Sequence, residues 1–214
     1  TYNLVSKELV VESQDELDSL MILSALLGKV AAGNKDHIQL QKEISKISGG
    51  ISASNHFFYD KNEELKGKMT LSAKFLPENT IDTTNLIFEI FNKTNFDLHE
   101  RIKELMFQNF MGFQQSIVEN GHRFAMLGAS SSHNQLSYLQ ESMGGLSAIS
   151  KFAPFVTNQD DLMKKEIEKV ETMYKKLESM KSELLFVSNE KLTKDQINAI
   201  REIDFEKDGN SKVN

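Results

Sequence analysis

Hydrophobic positions along this chain change period several times, and each change marks an element. Leu4, Val5, Leu9, Val10 and Val11 make residues 1–11 a strand. Ser13 then stands as a helix N-cap, with Asp15 and Glu16 in a first turn where the helix dipole favours negative charge. Leu17, Leu20, Met21, Leu23 and Leu27 follow at helical spacing. Gly28 and Gly33 punctuate, and a second helix is expected over 36–47, with Ile38, Leu40, Ile44 and Ile47. Gly49-Gly50 stops it. Two strands come next: 51–60, with His56, Phe57, Phe58 and Tyr59, and 66–76, where Met69, Leu71, Ala73 and Phe75 alternate as on a half-buried face. The polar Lys61-Asn62-Glu63-Glu64 between them predicts an antiparallel hairpin.

After Pro77 the pattern turns helical for a long way. A helix is expected over 80–92, and Asp97 is expected to cap another that runs through Ile102, Leu105, Met106, Phe110, Phe113 and Ile117 to about 120. Residues 122–131 are short and rich in Ala, Gly and Ser, which predicts close packing against a neighbour. A short helix over 135–141 breaks at Met143-Gly144-Gly145-Leu146, and Ala153-Pro154 reads as a joint. Residues 160–180 form a charged amphipathic helix, 183–188 a buried strand, and Thr193 caps a last helix over 194–203 before a frayed tail. Strand, helices, hairpin, helices, strand, helix is an α+β order: a mainly antiparallel sheet with helices packed on one face. Residues 1–189 read as one domain, and 190–214 as a terminal helix and tail that begin a connection onward.

Charge narrows the classes. Lys+Arg number 25 against Asp+Glu 31, a net charge of −6. That balance carries no footprint for nucleic acid, which requires clustered cations. No apolar run approaches the ~20 residues of a membrane span. With no cysteine, the chain offers neither disulfides nor thiol catalysis, which fits a reducing compartment.

Candidate chemistry is sparse. The histidines are His37, His56, His99, His122 and His133, and no two are four apart on a helix as a zinc pair requires. His99 and Glu100 read as solvated first-turn residues, and His122 as a hydrogen-bonded residue at a helix junction. Gly128-Ala129-Ser130-Ser131-Ser132-His133 lacks the nucleophile elbow and a leading strand. Ser48-Gly49-Gly50 and Gly144-Gly145 follow helices, so they read as terminations needing positive φ, not as phosphate loops. Asp204 to Asn210 echoes the start of a calcium loop without its closing Glu. The 14 Phe and 9 Met fall mostly at core spacing.

Five stretches carry a family resemblance. They are Ile44-Ser45-Lys46-Ile47-Ser48-Gly49-Gly50-Ile51-Ser52-Ala53-Ser54; the pair 71–76 and 86–91; Ser116 through Gly121-His122 to Ala129-Ser130; Tyr138-Leu139-Gln140-Glu141-Ser142-Met143-Gly144-Gly145-Leu146-Ser147; and 184–189. In order and spacing these resemble the C-terminal half of pitrilysin/insulinase-type zinc peptidases of the presequence-protease branch, over residues 2–189. The resemblance implies a chain of four related α+β domains in two halves around a chamber for unfolded peptides. It implies zinc held in the first domain by an H-x-x-E-H helix and a distal Glu, with an Arg and a Tyr supplied by the last. The present chain resembles the third domain, which carries neither. If Gly28 occupies the place of the Gly that follows the zinc motif, the motif positions fall at Ser19-Leu20-Met21-Ile22-Leu23. Ser19, Ile22 and Leu23 then stand where two His and a Glu would ligate and act, so no metal is expected here. Gly49, Gly50, Gly121, His122, Gly144 and Gly145 are the signature residues in structural roles.

The resemblance thus implies a non-catalytic wall of a zinc metalloendopeptidase, with unfolded peptides and sister domains as partners, and neither nucleic acid nor membrane. A bacterial cytoplasmic location is expected, with the mitochondrial matrix or another organelle as the alternative. Two other readings stay open: a scaffold or binding paralogue of the same fold, and an independent small-molecule-binding domain.

Overall fold

The computed structural model describes residues 1–157, 159–188 and 191–205. The expected domain division at residue 189 and the polar tail with its calcium-loop echo therefore lie, apart from Asp204 and Phe205, outside the described residues. Strand β1 (Tyr2–Leu9) leads into helix α1 (Gln14–Leu26), α2 (His37–Ile47) and the hairpin β2 (Ile51–Tyr59) and β3 (Leu65–Lys74). A 3-10 turn, Pro77–Asn79, opens α3 (Thr80–Lys93), followed by α4 (His99–Glu119), α5 (Gly121–Ser130) and α6 (Gln135–Gly144). A 3-10 segment, Leu146–Phe152, passes into α7 (Ala153–Val156), α8 (Asp160–Glu178), β4 (Ser182–Val187) and α9 (Lys194–Phe205). The strands form one antiparallel sheet in the order β2-β3-β1-β4, so the fold is α+β.

The register decides which face is core. Val5 pairs Leu71 and Leu184, Lys7 pairs Met69, and Leu9 pairs Gly67. The inward row is thus Asn3, Val5, Lys7 and Leu9 on β1, and Gly67, Met69, Leu71 and Ala73 on β3. Helices α1, α3 and α8 cover this face with Leu20, Leu23, Ile87, Phe91, Val170 and Leu177, all buried. The opposite face carries Ser6, Ser52, Ser54, Thr70 and Ser72 beside His56, Lys68 and Leu185.

Local chemistry explains most boundaries. The Ser13 hydroxyl accepts from the Glu16 N–H and caps α1. Asp36 and Gln39 form a reciprocal capping box on α2, and Thr193 and Gln196 do the same on α9. The hairpin turn closes through the Asp60 carboxylate, which accepts from the Asn62 and Glu64 N–H groups while Glu63 takes φ 61°. Between α1 and α2 the chain is pinned at Gly33, whose N–H reaches the Lys93 carbonyl at 2.8 Å. Gly33 has φ 60°, and an added Cβ would lie 2.0 Å from the Glu89 carboxylate. That carboxylate is held by Lys35 at 2.6 Å, and this hydrogen bond is the leading cause that pushes the Lys35 ammonium upward.

Four expectations need correction. Asp97 does not cap α4; its carboxylate is taken by the Asn95 amide, and Leu98 precedes the helix without a side-chain cap. The strand expected as buried, β4, is a sheet edge that pairs only with β1 and exposes Leu185 and Val187. Its apolar run spans both faces, and only one face has helices to bury it. Ala153-Pro154 is not a joint but the start of α7, with Pro in the first turn where its missing N–H costs nothing. Residues 122–131 do not pack closely: in α5 only Phe124 is buried.

Gly67 tests the packing of the hairpin. An added Cβ would sit 2.8 Å from the Phe57 ring and 3.0 Å from the Leu9 Cβ. Gly67→Ala should cost about 1–3 kcal/mol by overpacking, read by denaturant unfolding. In a Phe57→Leu background the cost should shrink, and an undiminished cost would assign it to the backbone.

Candidate functional site

Helix α1 holds the three degenerate motif positions. The Ser19 hydroxyl donates to the Asp15 carbonyl at 2.9 Å, within its own helix. Ile22 and Leu23 are buried in the core with Leu20 and Leu26. A hydroxyl bonded to the backbone and two alkyl chains supply no ligand set for zinc, so these residues do not fit the metal. Among the described residues no three His, Asp or Glu side chains converge on a metal site.

The other singled-out residues lie apart. Gly50 has φ 120°, as a helix-to-strand turn requires, and the Gly49 N–H bonds the Lys74 carbonyl at 2.7 Å. Gly144 and Gly145 do not take positive φ, contrary to the termination expected there. Gly145 is needed for close approach instead, since a Cβ would lie 2.6 Å from the Glu141 carbonyl. His122 is exposed at the α4–α5 junction, and its ring bonds nothing among the described residues, so the expected tie is absent. The turn is held by the Arg123 N–H on the Asn120 carbonyl. The Ser130 and Ser131 hydroxyls donate back to Leu127 and Gly128 carbonyls, which occupies them as helix-end bonds.

On the open sheet face the register places Ser52 beside Ser72, Ser54 beside Thr70 and then Ser6, and His56 beside Lys68 and then Glu8. Ser52 pairs with Ser72 and Ser6 with Thr70, each at 2.9 Å, and Lys68 binds Glu183. Ser54 shares a hydrogen bond with His56 Nε2 at 2.8 Å. Sequence reasoning overlooks this pair, although an i, i+2 spacing on a strand signals it. No acidic side chain among the described residues bonds His56 in turn, so the pair lacks the third group that would orient a base.

Sequence reasoning also misses Lys7. It is 2% exposed, and its ammonium donates to Asn92 Oδ1 at 3.1 Å and the Glu178 carbonyl at 3.0 Å, 5.6 Å from the Phe91 ring centre. Both partners border a cleft of about 810 Å³ between α3 and α8 that Asp97, Glu171 and Tyr174 also line. Hydropathy gives no warning of it, since a lysine on a strand ordinarily faces water. A second cleft, of about 620 Å³, is lined by Met21, Leu105, Met106, Phe113, Met143 and Phe152 beside β2.

Residues 2–153 match the sequence model of the region associated with peptidase family M16, subfamily C. The chain belongs to that family. Similar proteins include Protein HypA of Clostridium perfringens, 29% identical over 135 residues, which is 62% of this chain and 14% of that protein. The mitochondrial presequence protease of Danio rerio is 28% identical over 144 residues, 66% of this chain and 14% of that protein. Among solved structures, a peptidase M16 inactive domain from Pseudomonas fluorescens aligns with 95% of this chain and 44% of that chain, with TM-score 0.55 at 16% identity, a likeness of fold. This peptidase-associated chain thus spans 14% of the length of the first two relatives. The match agrees with the pitrilysin/insulinase resemblance carried by Gly49-Gly50, Gly121-His122 and Gly144-Gly145, all of which fall inside it.

Tyr174 offers a spectroscopic handle on the first cleft. Its phenol oxygen accepts the Thr94 N–H at 2.8 Å, its ring meets Phe96 edge-on, and burial pushes the phenol up to about 12. Because the folded value lies above the unfolded value of 10.0, the unfolded chain sheds this proton first. The contribution is fully present below pH 10 and is lost as pH rises towards about 12. Tyr174→Phe should cost about 1–2 kcal/mol at neutral pH by leaving the Thr94 N–H unpaired. It should also flatten that alkaline decline, as followed by urea unfolding across the range; an equally steep decline would remove Tyr174 as its source.

Proposed function

We propose that this chain is a non-catalytic wall of a longer zinc metalloendopeptidase that degrades short or unfolded peptides. The observation that carries this reading is the buried apolar face of α1. Ser19, Ile22 and Leu23 fill the core where the family resemblance places the metal-binding side chains of the active domain. The zinc, which would polarise the scissile carbonyl and activate water, is then held by another part of the polypeptide, and this chain binds none. Residues 1–189 form the wall domain and 190–214 begin the connection to the next. Its partners are unfolded peptides and the sister domains of the same chain. No helix among the described residues is long and apolar enough to cross a membrane, and we place the parent in the bacterial cytoplasm, with the mitochondrial matrix as the alternative. The second reading, a scaffold paralogue without peptidase activity, is favoured by the same loss of ligands at α1 if it extends to the sister domains.

Zinc content and turnover of an unstructured fluorogenic peptide separate these readings. This chain alone should hold no zinc and cleave nothing, whereas the longer polypeptide should cleave and should stop on chelation. Stoichiometric zinc with chelator-sensitive cleavage by this chain alone overturns the proposal. An inert longer polypeptide selects the scaffold.

A further inference from the structure

Charge is distributed unevenly along this chain. Between Leu105 and Ser150 the charged side chains are Glu119, Arg123 and Glu141, although Asp, Glu, Lys and Arg make up 26% of the whole. The stretch is not core. In α4 only Ile102, Leu105 and Met106 are buried, and in α5 only Phe124. Large apolar side chains stand exposed there among uncharged Gln108, Gln114 and Gln115: Phe107 and Met111 are each 50% exposed, Val118 87% and Met126 69%. Phe107, Met111 and Val118 recur at i, i+4 and i+11, which places them on one side of α4. The backbone is bare as well, since a Cβ added at Gly112, Gly121 or Gly128 would meet nothing within 4 Å. Helix α8 shows the contrast. Its buried row of Ile167, Val170 and Tyr174 is backed by a solvated face dense in Lys and Glu.

A surface made to meet water carries charge, whereas the centre of a protein interface is depleted of charge and enriched in Met and aromatic side chains. We propose that the outer face of the α4–α5 hairpin is a docking surface for another domain of the same longer polypeptide, an inference that rests on the wall-domain reading above. The chain spans only 14% of the length of two relatives, so a domain of this kind has extensive neighbouring chain to bury against. An anionic membrane would find Arg123 as the one Lys or Arg between Leu105 and Ser150 to hold.

The chain contains no cysteine, so single cysteines report burial directly. Val118→Cys and Met126→Cys, with Leu162→Cys on α8 as the control, are labelled with a maleimide in this chain and in the longer polypeptide. All three should react readily in this chain alone. In the longer polypeptide the first two should slow by about tenfold or more, because a docked site must open before it reacts, while the control stays unchanged. Equal rates in both forms overturn the proposal. Protection that appears only when a reduced, unfolded protein is added assigns the face to substrate and also overturns it. Protection in this chain alone that rises with concentration, with dimers in sedimentation velocity, assigns the face to a second copy and overturns it too. Zinc and turnover, measured on the same longer polypeptide, separate failure of this inference from failure of the peptidase reading.

Discussion

The fold depends on one strand that is bonded on both sides. Strand β1 pairs with β3 along its length and with β4 over most of it, so it anchors the sheet against which α1, α3 and α8 pack. Its inward row of Asn3, Val5, Lys7 and Leu9 is half polar, and this would be ruinous if left unpaired. Lys7 resolves it by reaching Asn92 on α3 and the Glu178 carbonyl at the end of α8. Asn3 donates to Thr84 on α3 at 2.9 Å. These polar groups therefore tie the strand to two helices far apart in sequence, while Asn3 Oδ1 is buried without a partner among the described residues.

Around that clasp the helices divide into two populations. Helices α1, α3 and α8 are committed to the sheet, and α1 and α8 are further tied by Lys176 to Glu16 at 2.7 Å. This half-buried pair fixes the two helices' relative orientation. Helices α4 and α5 project from this body and hold on through few buried side chains, chiefly Leu105, Met106 and Phe124, with Phe113 lying edge-on to Phe124.

Much of this is legible in the sequence because it is local. The caps at Ser13, Asp36 and Thr193, the hairpin turn at Asp60 and the half-buried period of β3 depend on residues within a few positions of one another, and each sits within a residue or two of expectation. The absence of a ligand set at Ser19, Ile22 and Leu23 is likewise a matter of side-chain identity. The family resemblance is readable because the stretches around Gly49-Gly50, Gly121-His122 and Gly144-Gly145 are contiguous in sequence, and the family match covers them all.

Tertiary structure alone decided the rest. Nothing local distinguishes an edge strand from a central one, so the apolar run of β4 reads as a buried strand, and only the sheet order places it at the margin. Nothing local announces that Lys7 faces inward, because the register that turns it there is set by pairs across the sheet with Met69 and its neighbours. The small residues of α5 suggest close packing, yet small residues permit contact without supplying it, and the fold leaves them facing out. Composition and periodicity thus determined most of the elements and the class. Which apolar side chains were buried and which were left exposed depended on long-range pairing, which no window of the sequence contains.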